Sequence, residues 1–95
     1  MKEKTNNKKD LLEVLSKISR DKYLLNGFLQ AILTEQEYED IALRWRVFKD
    51  SVSGASQRDI QDHLGISISK VTRGVKVTQE HKKIIQKIIN LLKDN

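Results

Sequence analysis

The chain has 95 residues, which fit one domain, and its net charge of +5 favours a polyanionic partner. The absence of cysteine excludes disulfides and thiolate chemistry, and the two histidines are too far apart in sequence to predict a structural metal. No stretch approaches the roughly 18 apolar residues of a membrane span, and the N-terminus has no apolar signal region. We therefore expect a soluble, cytoplasmic protein.

The positive charge is concentrated in three segments. Residues 1–9 carry +3, residues 56–76 carry +2 and residues 81–95 carry +3, whereas residues 10–55 carry −2. Two interpretations stay open at this point: a nucleic-acid partner, or lysines that only solvate the surface. We predict that residues 1–9 form a flexible basic arm ahead of the folded domain of residues 10–95.

Apolar spacing predicts helices almost throughout, because proline and period-two alternation are both missing. The apolar stripe of the first predicted helix is Leu11, Val14, Leu15 and Ile18, and that of the second is Leu25, Phe28, Leu29, Ile32 and Leu33. The segment Thr34–Glu37 is typical of a capping box, and the third helix that it begins is predicted to run to about Ser53. The apolar seam of this third helix is Ile41, Trp45, Phe48 and Val52. Trp45 is therefore expected to pack in the core.

Residues 56–74 predict a helix-turn-helix. Ser56 and Ser67 suit the N-caps of its two helices, and Gly65 between them permits the left-handed backbone of a tight turn. The residues expected to face inward are Ile60, Leu64, Ile66, Ile68 and Val71. The second helix of the motif is predicted to fade at Arg73–Gly74.

After a short link, a last helix is predicted from about Gln79 to Lys93. Its broad apolar face consists of Ile84, Ile85, Ile88, Ile89, Leu91 and Leu92. Helices with such faces have more apolar surface than a small chain can bury alone. We therefore predict an all-α homodimer whose core is made from both chains, and a monomeric bundle is the alternative.

The outward surface of the motif suits DNA, because its hydroxyl, amide and cationic groups can contact phosphates and base edges. The predicted DNA-binding residues are Gln57, Arg58, Gln61, Ser67, Ile68, Ser69, Lys70, Thr72, Arg73 and Lys76. A dimer would place two such motifs about one turn of DNA, roughly 34 Å, apart. The alternative interpretation is a plain helical hairpin that binds no DNA.

Five short motifs make the chain resemble the Trp repressor family. They are LT-x-x-E at Leu33–Glu37, R-x-R at Arg44–Arg46, SQR at Ser56–Arg58, LG at Leu64–Gly65 and VTRG at Val71–Gly74. The resemblance covers about residues 10–93 in helix order and implies a six-helix intertwined homodimer with a helix-turn-helix. It also implies a repressor that binds double-stranded operator DNA, responds to L-tryptophan and regulates tryptophan biosynthesis or transport genes.

The same resemblance implies a set of effector-binding residues: Ala31, Leu33, Thr34, Arg44, Val47, Arg73, Gly74 and Val77. Arg44 and Arg73 match two arginines that flank the indole, where guanidinium planes stack on the ring and one can pair the ligand carboxylate. Thr34 matches a hydroxyl residue near the ligand. Backbone carbonyls around Ala31 and Leu33 of the partner subunit would face the ligand ammonium.

Gly74 matches a family position where a bulkier residue would collide with the ligand. The chain departs from the family pattern directly after this residue. Val75-Lys76-Val77 follow, and Val77 stands where a hydroxyl residue often helps to hold the ligand ammonium. A regulator with no ligand or with a different ligand is therefore the second hypothesis, and a helical dimerisation or adaptor protein is the third. No paired carboxylates, nucleophile–base set or phosphate loop is evident, so we expect neither an enzyme nor a cofactor. His63 and His81 are expected at the surface.

Overall fold

The structure, a computed structural model, describes residues 6–93. Over this range the chain is all-helical, as predicted, with six helices and no strand. The helices are α1 (Asn7–Ile18), α2 (Lys22–Ile32), α3 (Glu35–Val52), α4 (Gln57–Leu64), α5 (Ile68–Glu80) and α6 (Lys82–Lys93). None of the helices in this range combines the length and the apolarity that crossing a bilayer requires.

The first three helices begin where side chains satisfy the backbone amides that have no partner inside a helix. The side-chain carbonyl oxygen of Asn6 caps α1, and the Asp21 carboxylate caps α2. At α3 the predicted capping box is present in both directions. The amide of Thr34 donates to the carboxylate of Glu37 at 2.8 Å, and the amide of Glu37 donates to the hydroxyl of Thr34 at 3.1 Å.

The N-terminal helix begins earlier than we predicted. Helix α1 starts at Asn7, so residues 7–9, which we had assigned to a flexible arm, belong to its first turn. The Asn6 cap explains this start, because its side chain accepts from the amide of Lys9 at 3.0 Å. Residues 1–5 of the predicted arm lie outside the described residues.

The second helix of the motif is longer than we predicted. Instead of fading at Arg73–Gly74, α5 continues to Glu80, and the last helix begins at Lys82 rather than near Gln79. Within this extension the hydroxyl of Thr78 donates back to the Gly74 carbonyl at 2.7 Å and is buried. Only at His81 does the backbone leave the helical conformation.

The chain divides into two compact units, the first ending at Tyr38 and the second beginning at Glu39. The first unit contains α1, α2 and the first turn of α3. Inside it the Tyr38 hydroxyl donates to the side-chain carbonyl of Asn26 at 2.8 Å. None of its described residues is buried, and Leu12 and Tyr23 are 65% and 86% exposed.

The second unit has a core where α3, α4 and α5 meet. Val47, Ile60 and Val71 are buried, and partly buried Ala55, Leu64, Ile66 and Val75 pack against them. This confirms the inward orientation that we predicted for most apolar positions of the motif. The exception is Ile68, which is 48% exposed at the start of α5. Ile85 of α6 is also buried, outside this cluster.

Helix α3 buries a different residue from the ones we predicted. Val47 is its buried side chain, whereas Trp45, Phe48 and Val52 of the predicted seam are half-buried and Ile41 is exposed. Trp45 therefore does not lie in the buried core of this chain. Val47 is buried because it is the α3 residue that packs against Ile60 and Val71 of the motif. Helical periodicity alone does not indicate which α3 residue makes this contact.

Candidate functional site

The helix-turn-helix has the local geometry that its sequence predicts. Ser56 caps α4 and Ser67 caps α5, each hydroxyl accepting from an amide one turn later at 3.1 and 3.3 Å respectively. Between the two helices Gly65 adopts φ 64°, in the left-handed region that a residue with a side chain rarely adopts. The path of the backbone from α4 into α5 is therefore fixed by three residues.

The two motif helices are held together by apolar packing and by one polar contact. Ile60 of α4 and Val71 of α5 are completely buried against each other and Val47. At the first residue of α4, the side-chain carbonyl of Gln57 accepts a hydrogen bond from the Thr72 hydroxyl of α5 at 2.9 Å. This bond uses the acceptor of Gln57 and leaves its amide donors for another partner.

A second polar contact joins the end of α4 to α3. The ring Nδ1 of His63 lies 3.0 Å from a carboxylate oxygen of Asp50. The histidine side chain is 55% exposed, so its predicted surface position is confirmed, with a carboxylate partner that the sequence did not indicate. His81 is exposed as well and forms the C-cap of α5.

The residues predicted to bind DNA are accessible on the motif. Nine of the ten are exposed and Gln61 is half-buried. Lys70, Arg73 and Lys76 are spaced three residues apart, which places three cations along one side of α5. At the start of that helix, the hydroxyls of Ser67 and Ser69 lie 3.2 Å apart. The motif thus presents charge and hydroxyl donors on an element that is fixed from behind by its core.

A cavity of about 320 Å³ lies in the second unit. Residues of α3 line one side of it, and residues of α5 and of the turn between α4 and α5 line the other. Its volume falls within the roughly 300–1,000 Å³ of small-molecule sites. Five of the eight residues predicted to bind an effector line it: Arg44, Val47, Arg73, Gly74 and Val77. The other three belong to the first unit: Ala31 is in α2, Leu33 is the C-cap of α2, and Thr34 is at the start of α3.

Gly74 lies at the closest approach of α5 to α3. A Cβ atom added to it would lie 2.5 Å from Cγ1 of Val47, which is closer than real Cβ atoms approach, and 3.2 Å from Cβ of Val47, which is a tight contact. The resemblance predicts that bulk at Gly74 would collide with a ligand. The structure shows a collision inside the protein itself, so Gly74 is needed for the helix packing whether or not a ligand is present.

The cavity combines an apolar wall with an excess of positive charge. Its apolar lining comes from Leu43, Val47, Ile66 and Val77, and its charged lining comes from Asp40, Arg44, Lys70 and Arg73. The three cations are exposed and the carboxylate is half-buried. Such a site can hold a flat apolar molecule that carries an acidic group. Among residues 6–93 no group of His, Cys, Asp or Glu side chains is arranged to hold a metal ion.

Four lining residues were missed as cavity residues: Asp40, Leu43, Ile66 and Lys70. Helical spacing carries a signal for three of them. Asp40 and Leu43 precede Arg44 and Val47 at the same-face spacings of α3, and Lys70 precedes Arg73 on α5. Lys70 had been assigned to DNA alone. Two arginines on facing helices therefore predict a site whose other residues follow from helical periodicity.

Comparisons with known proteins give sequence matches over much of the chain. A family model described as Trp repressor protein matches residues 6–93. The Trp operon repressor homolog of Xylella fastidiosa (strain M23) is 39% identical over 54 residues, which span 56% of this chain and 59% of that protein. The Trp operon repressor homolog of Chlamydia trachomatis serovar D is 33% identical over 64 residues, 66% of this chain and 67% of that protein. No solved structure gives a significant match.

Proposed function

The chain belongs to the Trp repressor family, and we propose that it is a homodimeric transcriptional repressor that binds operator DNA when L-tryptophan occupies its cavity. The observation that carries this proposal is the position of Arg73. This residue lines the cavity together with Arg44, and it is also an exposed cation of the second motif helix. One side chain therefore belongs to the effector site and to the DNA-facing surface.

The motif supports the DNA-binding part. The exposed cations of α5 supply phosphate contacts, whose strength depends steeply on salt, and the hydroxyl and amide groups supply contacts to base edges. Because α5 is fixed by Val71 on its inner side, these groups are presented on a rigid element. A rigid helix is what insertion into the major groove requires.

The cavity supports the effector part. Arg44 on α3 and Arg73 on α5 line one space, so an indole can stack on a guanidinium plane while a cation pairs its carboxylate. A ligand held in this way favours the arrangement of α5 in which it is bound. Repression would then follow from a shift of the population toward the DNA-competent state.

Exposed apolar side chains support the homodimer. Outside the motif, α1, α2 and α6 expose many large apolar residues: Leu11, Leu12, Tyr23, Leu24, Ile32, Ile84, Ile88, Leu91 and Leu92. Monomeric soluble proteins rarely leave so many uncovered, because apolar surface in water favours association. A second copy would cover them and would provide the second DNA-reading motif.

A gel shift on the DNA upstream of the protein's own gene tests the proposal, with and without L-tryptophan and at several salt concentrations. We expect a shift that tryptophan strengthens and that salt weakens steeply. If DNA binding does not change with tryptophan, the effector role of tryptophan is wrong and the hypothesis of a DNA-binding regulator without this ligand remains. Absent or salt-insensitive binding would favour the adaptor hypothesis.

Two variants separate the roles of the arginines. Arg73→Ala should weaken both operator binding and tryptophan binding, whereas Arg44→Ala should chiefly weaken tryptophan binding. Arg46→Ala is the matched control, because Arg46 is an exposed α3 arginine that does not line the cavity. If Arg44→Ala binds tryptophan as the wild type does in titration calorimetry, the stacking role is wrong.

A regulator with a different ligand, or with none, is the second candidate. It is favoured by Val77, whose apolar side chain lines the cavity where the family pattern often has a hydroxyl. Titration with L-tryptophan at millimolar concentration decides between the two, since absence of binding would favour this second candidate.

A further inference from the structure

The cavity contains three side chains that donate hydrogen bonds and one that accepts them. Arg44, Lys70 and Arg73 have only donors, and the remaining side chains of the lining, apart from Asp40, are apolar or absent. Of the described residues that line the cavity, Asp40 therefore provides the one side-chain acceptor.

An α-amino acid presents an ammonium group that needs such an acceptor, because a charged group that loses water without gaining a partner is costly to bury. Asp40 precedes Arg44 by one helical turn, a rise of about 6 Å along α3. The two side chains therefore offer an acceptor and a donor on one face of the helix. This is the pair of groups that the two charges of an amino acid require.

We propose that the Asp40 carboxylate binds the α-ammonium of the effector and makes this cavity selective for an aromatic amino acid over the corresponding acid without the amino group. The assignment rests on the proposed function, because it takes the cavity to be the effector site. It adds a specificity residue contributed by α3 of this chain.

Electrostatics give the proposal a direction that a test can measure. The lining has three cations and one carboxylate, so a zwitterion meets both signs of charge. Removing the carboxylate leaves an ammonium among cations and leaves an acid without an amino group in a more favourable field. Asp40→Asn should therefore act in opposite directions on the two kinds of ligand.

The test uses isothermal titration of the full-length protein with L-tryptophan and with indole-3-propionate, which share the indole and the carboxylate. For Asp40→Asn we expect tryptophan affinity to fall by about tenfold or more, since hydrogen bonds to charged groups are among the strong ones. The affinity for indole-3-propionate should stay the same or rise. Glu39→Gln is the control, because Glu39 is the neighbouring exposed acid of α3 and does not line the cavity.

The ratio of the two affinities carries the conclusion. If Asp40 acted only by orienting Arg44, both ligands would weaken together and the ratio would not change, which overturns the proposal. An unchanged ratio with normal wild-type tryptophan binding removes the role of Asp40 alone. If the wild type binds neither ligand but still shifts DNA in a gel, both the role of Asp40 and the effector part of the proposed function are wrong.

Discussion

The two units of the chain differ in how many of their apolar side chains are buried. In the second unit the buried residues Val47, Ile60 and Val71 come from three helices and are surrounded by partly buried neighbours. In the first unit no described residue is buried, although its two helices carry apolar stripes of similar length. Similar local patterns therefore lead to different degrees of burial in one chain.

The difference indicates which part of the protein is complete in one copy. The DNA-reading motif has its own core, its caps and its turn, so one chain can hold it in shape. The first unit has helix caps but no enclosed apolar residue, and caps alone contribute only about 1 kcal/mol each. We therefore expect the first unit to acquire its burial from the second copy of the proposed homodimer.

The largest effect should come from the core of the second unit. Ile60→Ala removes a completely buried side chain, and a truncation of this kind typically costs about 2–5 kcal/mol of unfolding free energy. Urea unfolding followed by circular dichroism measures it. A cost below about 1 kcal/mol would mean that this core is looser than its burial indicates.

A substitution in the first unit should act on association instead. Leu12→Ser replaces a side chain that is 65% exposed in the single chain, and covering a leucine contributes about 1.5–3 kcal/mol. We expect the dimer dissociation constant to rise roughly ten- to hundredfold in sedimentation equilibrium.

The control for that experiment is Ser16→Ala, an exposed α1 residue whose side chain is small and polar. It should leave association unchanged. A wild-type protein that sediments as a monomer at all concentrations would contradict this prediction, because the first unit would then be stable without a second copy that buries its apolar side chains.

The contact between Gly74 and Val47 sharpens the comparison within the second unit. Gly74→Ala gains about 1 kcal/mol of helix propensity but forces a Cβ atom into Val47, and overpacking costs about 1–3 kcal/mol. We expect a net loss of unfolding free energy. In a Val47→Ala background the same substitution should be much less destabilising, because the methyl group that it would meet at 2.5 Å is gone and only the Cβ contact at 3.2 Å remains.

This difference between the two backgrounds separates a steric role from a ligand role, since both measurements are made without tryptophan. If Gly74→Ala is equally destabilising in both backgrounds, the contact with Val47 is not its cause. The coupling between the two substitutions should be at least about 1 kcal/mol in a double-mutant cycle.

The same contrast explains what the sequence could and could not predict. Caps and turns depend on neighbours in sequence, so Thr34, Ser56 and Gly65 were assigned correctly. The end of α5 was predicted too early, at Arg73–Gly74, whereas Gly74 lies inside the helix and lets it approach Val47 of α3. Contacts of that kind are invisible to local propensity.

The cavity follows the same rule. Family motifs identified Arg44 and Arg73, and helical spacing carries a signal for Asp40 and Lys70, but Ile66 is recognised as a cavity residue only from the way α3 and α5 pack. Likewise the α3 seam was assigned from periodicity, while the buried residue is Val47, selected by what the helix meets. Sequence thus predicts the local elements and some site residues, and tertiary packing determines the rest.

The smallest predicted effect tests whether the second unit holds the effector with its own side chains. Val77→Thr keeps the shape of the side chain and adds a hydroxyl to the cavity lining. A neutral hydrogen bond contributes about 0.5–1.5 kcal/mol, so tryptophan affinity should rise a few-fold in titration calorimetry. Val75→Thr is the control, because Val75 is a half-buried valine of α5 that packs on the core.

The size of this gain depends on which groups already accept from the ligand ammonium. If Asp40 is the acceptor, the few-fold gain from Val77→Thr in the wild type should become larger in Asp40→Asn, where the ammonium has lost its partner. If the gain is the same in both backgrounds, the ammonium is held by groups outside this cavity. Carbonyls around Ala31 and Leu33 of the partner subunit, as the family resemblance implies, would then complete the site, and the second unit would not be self-sufficient for its ligand.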